Sequence, residues 1–346
     1  MLDQAIHALA FAYGKPPVSG HLRTTPEDFR VSELPLVEPV GSGEHVWLQV
    51  RKRNENTDHV AGRLAAHAGV HPRQVSYAGL KDRHAVTEQW FSVHLPGRAE
   101  PDWQALASDA LVILQSHRHT RKLQRGTLRG NAFCITVRDV QGEPALLEAR
   151  LGQARAQGVP NYFGAQRFGI EGSNLQRAEQ LFRNPRMKLS RNRRSMALSA
   201  ARSLLFNQVL SRRVEDGSWD GVLPGDAMQL AGSRSFFIAE AIDETVLERV
   251  AAQDIHATGP LHGRGDTVVQ GACRELETAV LAGYEPFRLG LEAAGLRQER
   301  RALRLPVPEL CWQWPEPDVL VLEFSLPAGS YATSVLRELV ADKPVM

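Results

Sequence analysis

Several things are scarce in this 346-residue sequence. Its three cysteines, Cys134, Cys273 and Cys311, lie far apart and include no Cys-x-x-Cys pair. That excludes a disulfide framework and a zinc ribbon, and it fits a chain kept reduced. The twelve histidines form no ligand pattern either; His117 and His119 stand two apart, but nothing flanks them at ligand spacing. A metal-dependent nuclease would need a carboxylate or histidine cluster, and none is visible. No apolar run approaches the roughly 20 residues that cross a bilayer. The opening "MLDQAIHALAFAYGKPPVSG" carries an acid at Asp3 and lacks the basic start of a signal peptide. The expectation is a soluble cytoplasmic protein with no membrane contact and no metal. Internal repeats and low-complexity segments are also missing. So is any overall charge excess, because 41 Lys and Arg against 39 Asp and Glu leave only +2. Bulk electrostatics names no partner, and what matters is where the charges sit.

What is present is ample apolar material, 43% of residues, in a chain longer than one core usually organises. Two domains are therefore expected. The first 140 or so residues alternate strand-like and helix-like patterns. In "DFRVSEL" Phe29, Val31 and Glu33 share a face, and in "HVWLQVRKR" Val46, Leu48 and Val50 do. "NTDHVAGRLAAHAG" spaces Val60, Leu64 and Ala68 as a helix would, and stops at Gly69. "QVSYAGL" and "EQWFSVHLP" read as strands, and "GNAFCITVRDV" as another. The middle changes texture: a helix-like "PALLEARLGQARAQG", an aromatic and glycine-rich "VPNYFGAQRFG", a helical basic stretch, then the glycine-rich loops "GVLPGDAMQLAGS" and "ATGPLHGRGD". Strand texture returns in "DVLVLEFSLP", and "ATSVLRELV" reads as a closing helix. The pattern suggests one domain from residues 1–156 and 306–346, with a second inserted at 157–305. Two domains in simple succession would also satisfy the composition. Insertion at a loop with close ends costs little.

Acids are missing locally in two places. "SHRHTRKLQRGTLRG" (116–130) holds five Arg or Lys, two His and no acid. From Arg183 to Arg213 there are nine basic residues, again with no acid. Surfaces normally mix both signs, so such runs concentrate positive potential. A solvated basic helix face, or arginine stems covering apolar surface, is the plainer explanation for one run. Two runs point to a phosphate backbone, held largely through counterion release. Phe29, Phe133 and Tyr331 offer rings on which unpaired bases can stack, although core packing is the commoner use of each.

Between two predicted strands lies the turn "GLKDR", with Asp82 between Lys81 and Arg83. An aspartate after a glycine most often caps a helix or bonds its own backbone. This one has cations on both sides, which favour its ionised form and suit a nucleophile or base.

"YAGLKDRHAVTEQWFSVHLP", "PEDFRVSE", "RGNAF", "VPNYFGAQRFG" and "LPAGSYATSVLREL" together resemble the TruD family of tRNA pseudouridine synthases. They fall in that family's order across essentially the whole chain. The resemblance implies an α/β (α+β) fold: a pseudouridine synthase core around a mixed, mostly antiparallel sheet, plus a family-specific inserted domain. It implies isomerisation of uridine at position 13 of tRNA, without metal or organic cofactor. It places the catalytic aspartate at Asp82, a substrate-contacting phenylalanine at Phe29, an asparagine at Asn131, an aromatic at Phe133 and another at Tyr331, where relatives often have Phe. Lysine precedes "PEDF" in members of the family, and here that residue is Arg23. An ion pair with Asp82 survives the change, whereas a role needing a deprotonated lysine does not. Lys81 and Arg83 are expected to bind backbone phosphate or to tune Asp82. A monomer acting on tRNA without an obligate protein partner is expected. The competing expectation is a non-catalytic RNA-binding or remodelling protein in which the turn is structural.

Overall fold

The computed structural model describes residues Leu2 to Lys343 and divides them into two compact units. One comprises Pro17–Glu148, Val307–Gly329 and Val340–Met346; the other comprises Met1–Pro16, Ala149–Pro306 and Ser330–Leu339.

The first unit is built on a ten-stranded mixed sheet. Its spine runs Cys311–Glu316, Val319–Pro327, Leu128–Gly142, Phe29–Pro35, Val86–His94, His45–Arg53, Leu111–His119. Neighbours along it are antiparallel except Phe29–Pro35 with Val86–His94, a single parallel step near the middle. Period-2 burial builds these strands. Phe29, Val31 and Glu33 are buried while Arg30 is exposed. Val46, Leu48 and Val50 are buried as their alternation predicts, and the same face continues to Lys52, which is 0% exposed. The helix Thr57–His67 lays Val60, Ala61, Leu64 and Ala65 on that core. It ends against Gly69, whose φ of +59° is the left-handed conformation a helix stop favours.

In the second unit the 25-residue helix Arg191–Glu215 buries Ala197, Ala201, Leu204, Leu205 and Val209. It packs on a four-stranded antiparallel sheet in the order Phe236–Ala239, Asp226–Leu230, Ile255–Leu261, Glu299–Ala302. Arg213 fastens helix to sheet by a fully buried fork onto Asp226, two bonds of 2.9 Å. Two of these strands fall in segments whose glycines suggest loops. The reason is steric: a Cβ on Gly259 would stand 2.8 Å from Leu303 and 3.0 Å from Phe206. That glycine permits close approach inside a strand and makes no turn. No helix among the described residues is long and apolar enough to cross a membrane.

Candidate active site

The residues "GLKDR" join the antiparallel strands Val75–Tyr77 and Val86–His94. Buried groups of the first unit hold this turn from beneath. The Lys81 N–H donates to Thr57 Oγ1 at 3.1 Å, the Thr57 hydroxyl donates to Gln89 Oε1 at 2.9 Å, and Gln89 Nε2 donates to the Gly79 carbonyl at 3.2 Å. Lys52 Nζ donates to the carbonyls of Asp82 (2.9 Å) and Glu55 (2.7 Å). Burial pulls the Lys52 ammonium down to about 8, against the opposing pull of the Asp82 charge. Lys81 turns inward too: its ammonium meets Glu33 Oε1 at 2.7 Å, with the two side chains 9% and 2% exposed. The second Glu33 oxygen accepts the Trp90 N–H at 2.8 Å. The Asp82 main chain is thus fixed without using its carboxylate.

That carboxylate remains 40% exposed, and among the described residues it accepts no backbone N–H. It is therefore not a cap. Its partner is Arg23, whose Nη2 donates to Oδ2 at 3.2 Å. Arg23 sits at φ +58°, a left-handed conformation that a non-glycine residue adopts at a cost. In that conformation its guanidinium lies 4.2 Å above the Phe29 ring. Cross-strand register gathers the remaining residues on one sheet face, because directly opposed residues point the same way. Val31 opposes Phe133, Glu33 opposes Asn131, and Phe324 opposes Phe133 from the other side. Phe29 is 3% exposed and meets Phe133 edge-on at 6.3 Å, while Phe133 stacks on Phe324 at 5.3 Å. The buried Asn131 Oδ1 has no hydrogen-bond partner among the described residues.

The first unit so brings together Asp82, Arg23, Phe29, Lys81, Asn131 and Phe133. Tyr331 belongs to the second unit, at the start of the helix Ala332–Leu339, where it contacts Phe163 at 6.0 Å and Arg167. Sequence reading does not single out Lys52, Phe324 or the clamp on "PEDF". In that clamp Arg138 forks onto the buried Asp28 at 2.8–3.1 Å and fixes the turn before Phe29. A groove of about 380 Å³ lies beside Arg30 and Ser32, but four of its charges are committed to one another, Arg51 with Glu88 at 2.8 Å and Arg53 with Glu27. Among the described residues, no group of three or more His, Cys, Asp or Glu could hold a metal ion.

The basic runs divide in a telling way. Of the nine cations between Arg183 and Arg213, Arg183, Arg202, Arg212 and Arg213 pair with acids from elsewhere in their unit. Arg186, Lys188, Arg191, Arg193 and Arg194 form no ion pair among the described residues, nor do Arg121, Lys122, Arg125 and Arg129 of the other run.

In class, this is an α+β protein organised around a mixed sheet. The family model described as tRNA pseudouridine synthase D (TruD) matches residues 5–176 and 172–339. The chain is 54% identical over 333 residues to the tRNA pseudouridine synthase D of Methylococcus capsulatus, covering 96% of this chain and 94% of that one. Its identity to the Nitrosococcus oceani protein of the same name is 51% over 335 residues, covering 96% and 93%. A solved structure from Methanosarcina mazei with the same family designation superposes with a TM-score of 0.75 over 95% of each chain, at 24% identity, which speaks to the fold alone. The chain belongs to the TruD family.

Proposed function

We propose that this chain isomerises uridine to pseudouridine in tRNA, at position 13, and that Asp82 is the group acting on the ribose. The observation that carries this is the partly exposed Asp82 carboxylate, paired with Arg23 and, among the described residues, bonded to no backbone amide, in a chain of this family. The reaction breaks the N1–C1′ bond, turns the uracil and joins C5 to C1′; C5 loses a proton and N1 gains one. Asp82 either attacks C1′, as carboxylates do in retaining glycosidases, or removes the C2′ proton. Both routes need the ionised acid. Arg23 serves that need as a permanent charge, because a guanidinium does not lose its proton.

The uridine must leave its stack, which costs a few kcal/mol. Stacking on Phe133, worth about 1–3 kcal/mol per base, offsets this. Phe29 supports that ring and the Arg23 guanidinium. The unpaired Asn131 Oδ1 matches N3–H, the one ring donor of an N1-linked uracil. Lys81 fixes the turn through Glu33. By chain order, residues 1–156 and 306–346 make the catalytic domain and 157–305 the family insertion, although 1–16, 149–156 and 330–339 pack in the second compact unit; the protein acts as a cytoplasmic monomer with no cofactor. Nucleoside analysis of tRNA incubated with the purified protein tests the reading: pseudouridine mapped to position 13 supports it. Salt-sensitive binding with unaltered nucleosides supports a non-catalytic RNA-binding protein instead.

A further inference from the structure

The second unit holds a cluster of side chains that the proposed chemistry leaves unused. Phe163, 8% exposed, has the Arg301 guanidinium 4.3 Å from its ring centre and that of Arg167 at 5.4 Å. Both are within the range of a cation–π contact. Arg167 also donates to Ser199 Oγ at 3.1 Å and to the Tyr331 hydroxyl, and it lies 5.5 Å from the Tyr331 ring. Arg301 donates to Asn161 Oδ1 at 2.5 Å. Burial and the neighbouring Arg167 charge together draw Arg301 down to about 10.

Two like charges that share the Phe163 ring repel each other, which favours an anion beside them. Among the described residues Arg167 forms no ion pair with a carboxylate. The hydroxyls around it are acceptors in the bonds they make with it. Each therefore keeps its own hydrogen, and neither Tyr331 nor Ser199 donates it to another group among the described residues. Arg167, Tyr331 and Ser199 are each half-buried, so none of the three is sealed in the core. Arg191, one of the cations without an ion pair, sits two turns before Ser199 on the same helix, about 12 Å away along its axis. One guanidinium plus two hydroxyl donors, on a unit that also carries exposed cations, is the complement of a tetrahedral oxyanion.

We propose that Arg167, Tyr331 and Ser199 form a subsite for one phosphodiester group of the substrate RNA. This rests on the reading of the chain as a tRNA-modifying enzyme. It gives Tyr331 a hydroxyl-dependent task that phenylalanine cannot perform. Binding of tRNA to the full-length parent, Arg167→Gln, Arg167→Lys and Tyr331→Phe, measured across a series of salt concentrations, tests it. Arg167→Gln weakens binding about tenfold. It also lowers the slope of log Kobs against log[salt] by roughly one phosphate contact. Arg167→Lys restores the slope but not the full affinity. Tyr331→Phe, which keeps the ring, loses affinity with the slope unchanged because the hydroxyl is neutral. Parental affinity and slope in both Arg167→Gln and Tyr331→Phe, with parental circular dichroism, overturn the subsite. That failure is separable from failure of the functional reading, which shows as absence of pseudouridine in tRNA treated with the parent.

Discussion

At the scale of single residues, the candidate site depends on buried charges that do no chemistry themselves. Glu33 is 2% exposed and answers the Lys81 ammonium. Glu33→Gln leaves that ammonium buried and uncompensated, so urea denaturation should show a loss of about 3–5 kcal/mol. A loss below about 1 kcal/mol would mean that the pair does not anchor the turn. Lys52 makes a pH-dependent contribution. Burial lowers it from 10.5 to about 8, so between those values the unfolded chain binds more protons than the folded one. Its contribution to stability therefore rises as pH climbs through that window. The parent should gain stability relative to Lys52→Met from pH 8 to 10.5, and a constant difference would contradict the assignment. Lys52 is legible in principle, since extending Val46, Leu48, Val50 by two residues reaches it. The Arg23–Asp82 pair joins residues 59 apart, and no local pattern encodes it. Only the family resemblance suggests that pair.

At the scale of elements, strands with clean alternation are readable, as Phe29–Pro35 and His45–Arg53 are. Strands that carry glycine for close packing, such as Ile255–Leu261, look like loops because the sequence does not show the partner that excludes a side chain. Leu111–His119 is masked differently, as its last residues merge into the basic run at 116–130. Gly130 makes the steric point testable. A Cβ there would lie 2.2 Å from the Leu326 carbonyl oxygen, across the pairing of Gly130 with Pro327. Backbone cannot yield as a flexible side chain can, so Gly130→Ala should cost at least about 1–3 kcal/mol and displace Asn131. Gly152, in the helix Pro144–Gln157, has nothing within 4 Å of its Cβ position. Gly152→Ala should stabilise by about 0.5–1 kcal/mol. Thermal melts of the two variants should move in opposite directions, and a shared direction would contradict the packing account.

At the scale of the whole molecule, a net charge of +2 conceals strong local imbalance. Among the described residues, Arg191, Arg193 and the half-buried Arg194 near the start of the helix Arg191–Glu215 form no ion pair, which suits a polyanion. Replacing Arg191, Arg193 and Arg194 together by Gln should reduce the salt slope of tRNA binding by up to about three contacts, and an unchanged slope would remove this face from the interface. The family was legible because its motifs are spread along the whole chain, whereas the two-unit contact map depends on long-range packing that composition does not encode. The central claim is that the Asp82 carboxylate performs the isomerisation. Forming the C5–C1′ bond expels the hydrogen on C5, so tRNA carrying tritium at uridine C5 reports the reaction as label released to water. The account predicts release by the parent and none above background by Asp82→Ala, with tRNA binding by the variant intact. Release by Asp82→Ala at the parental rate would contradict it.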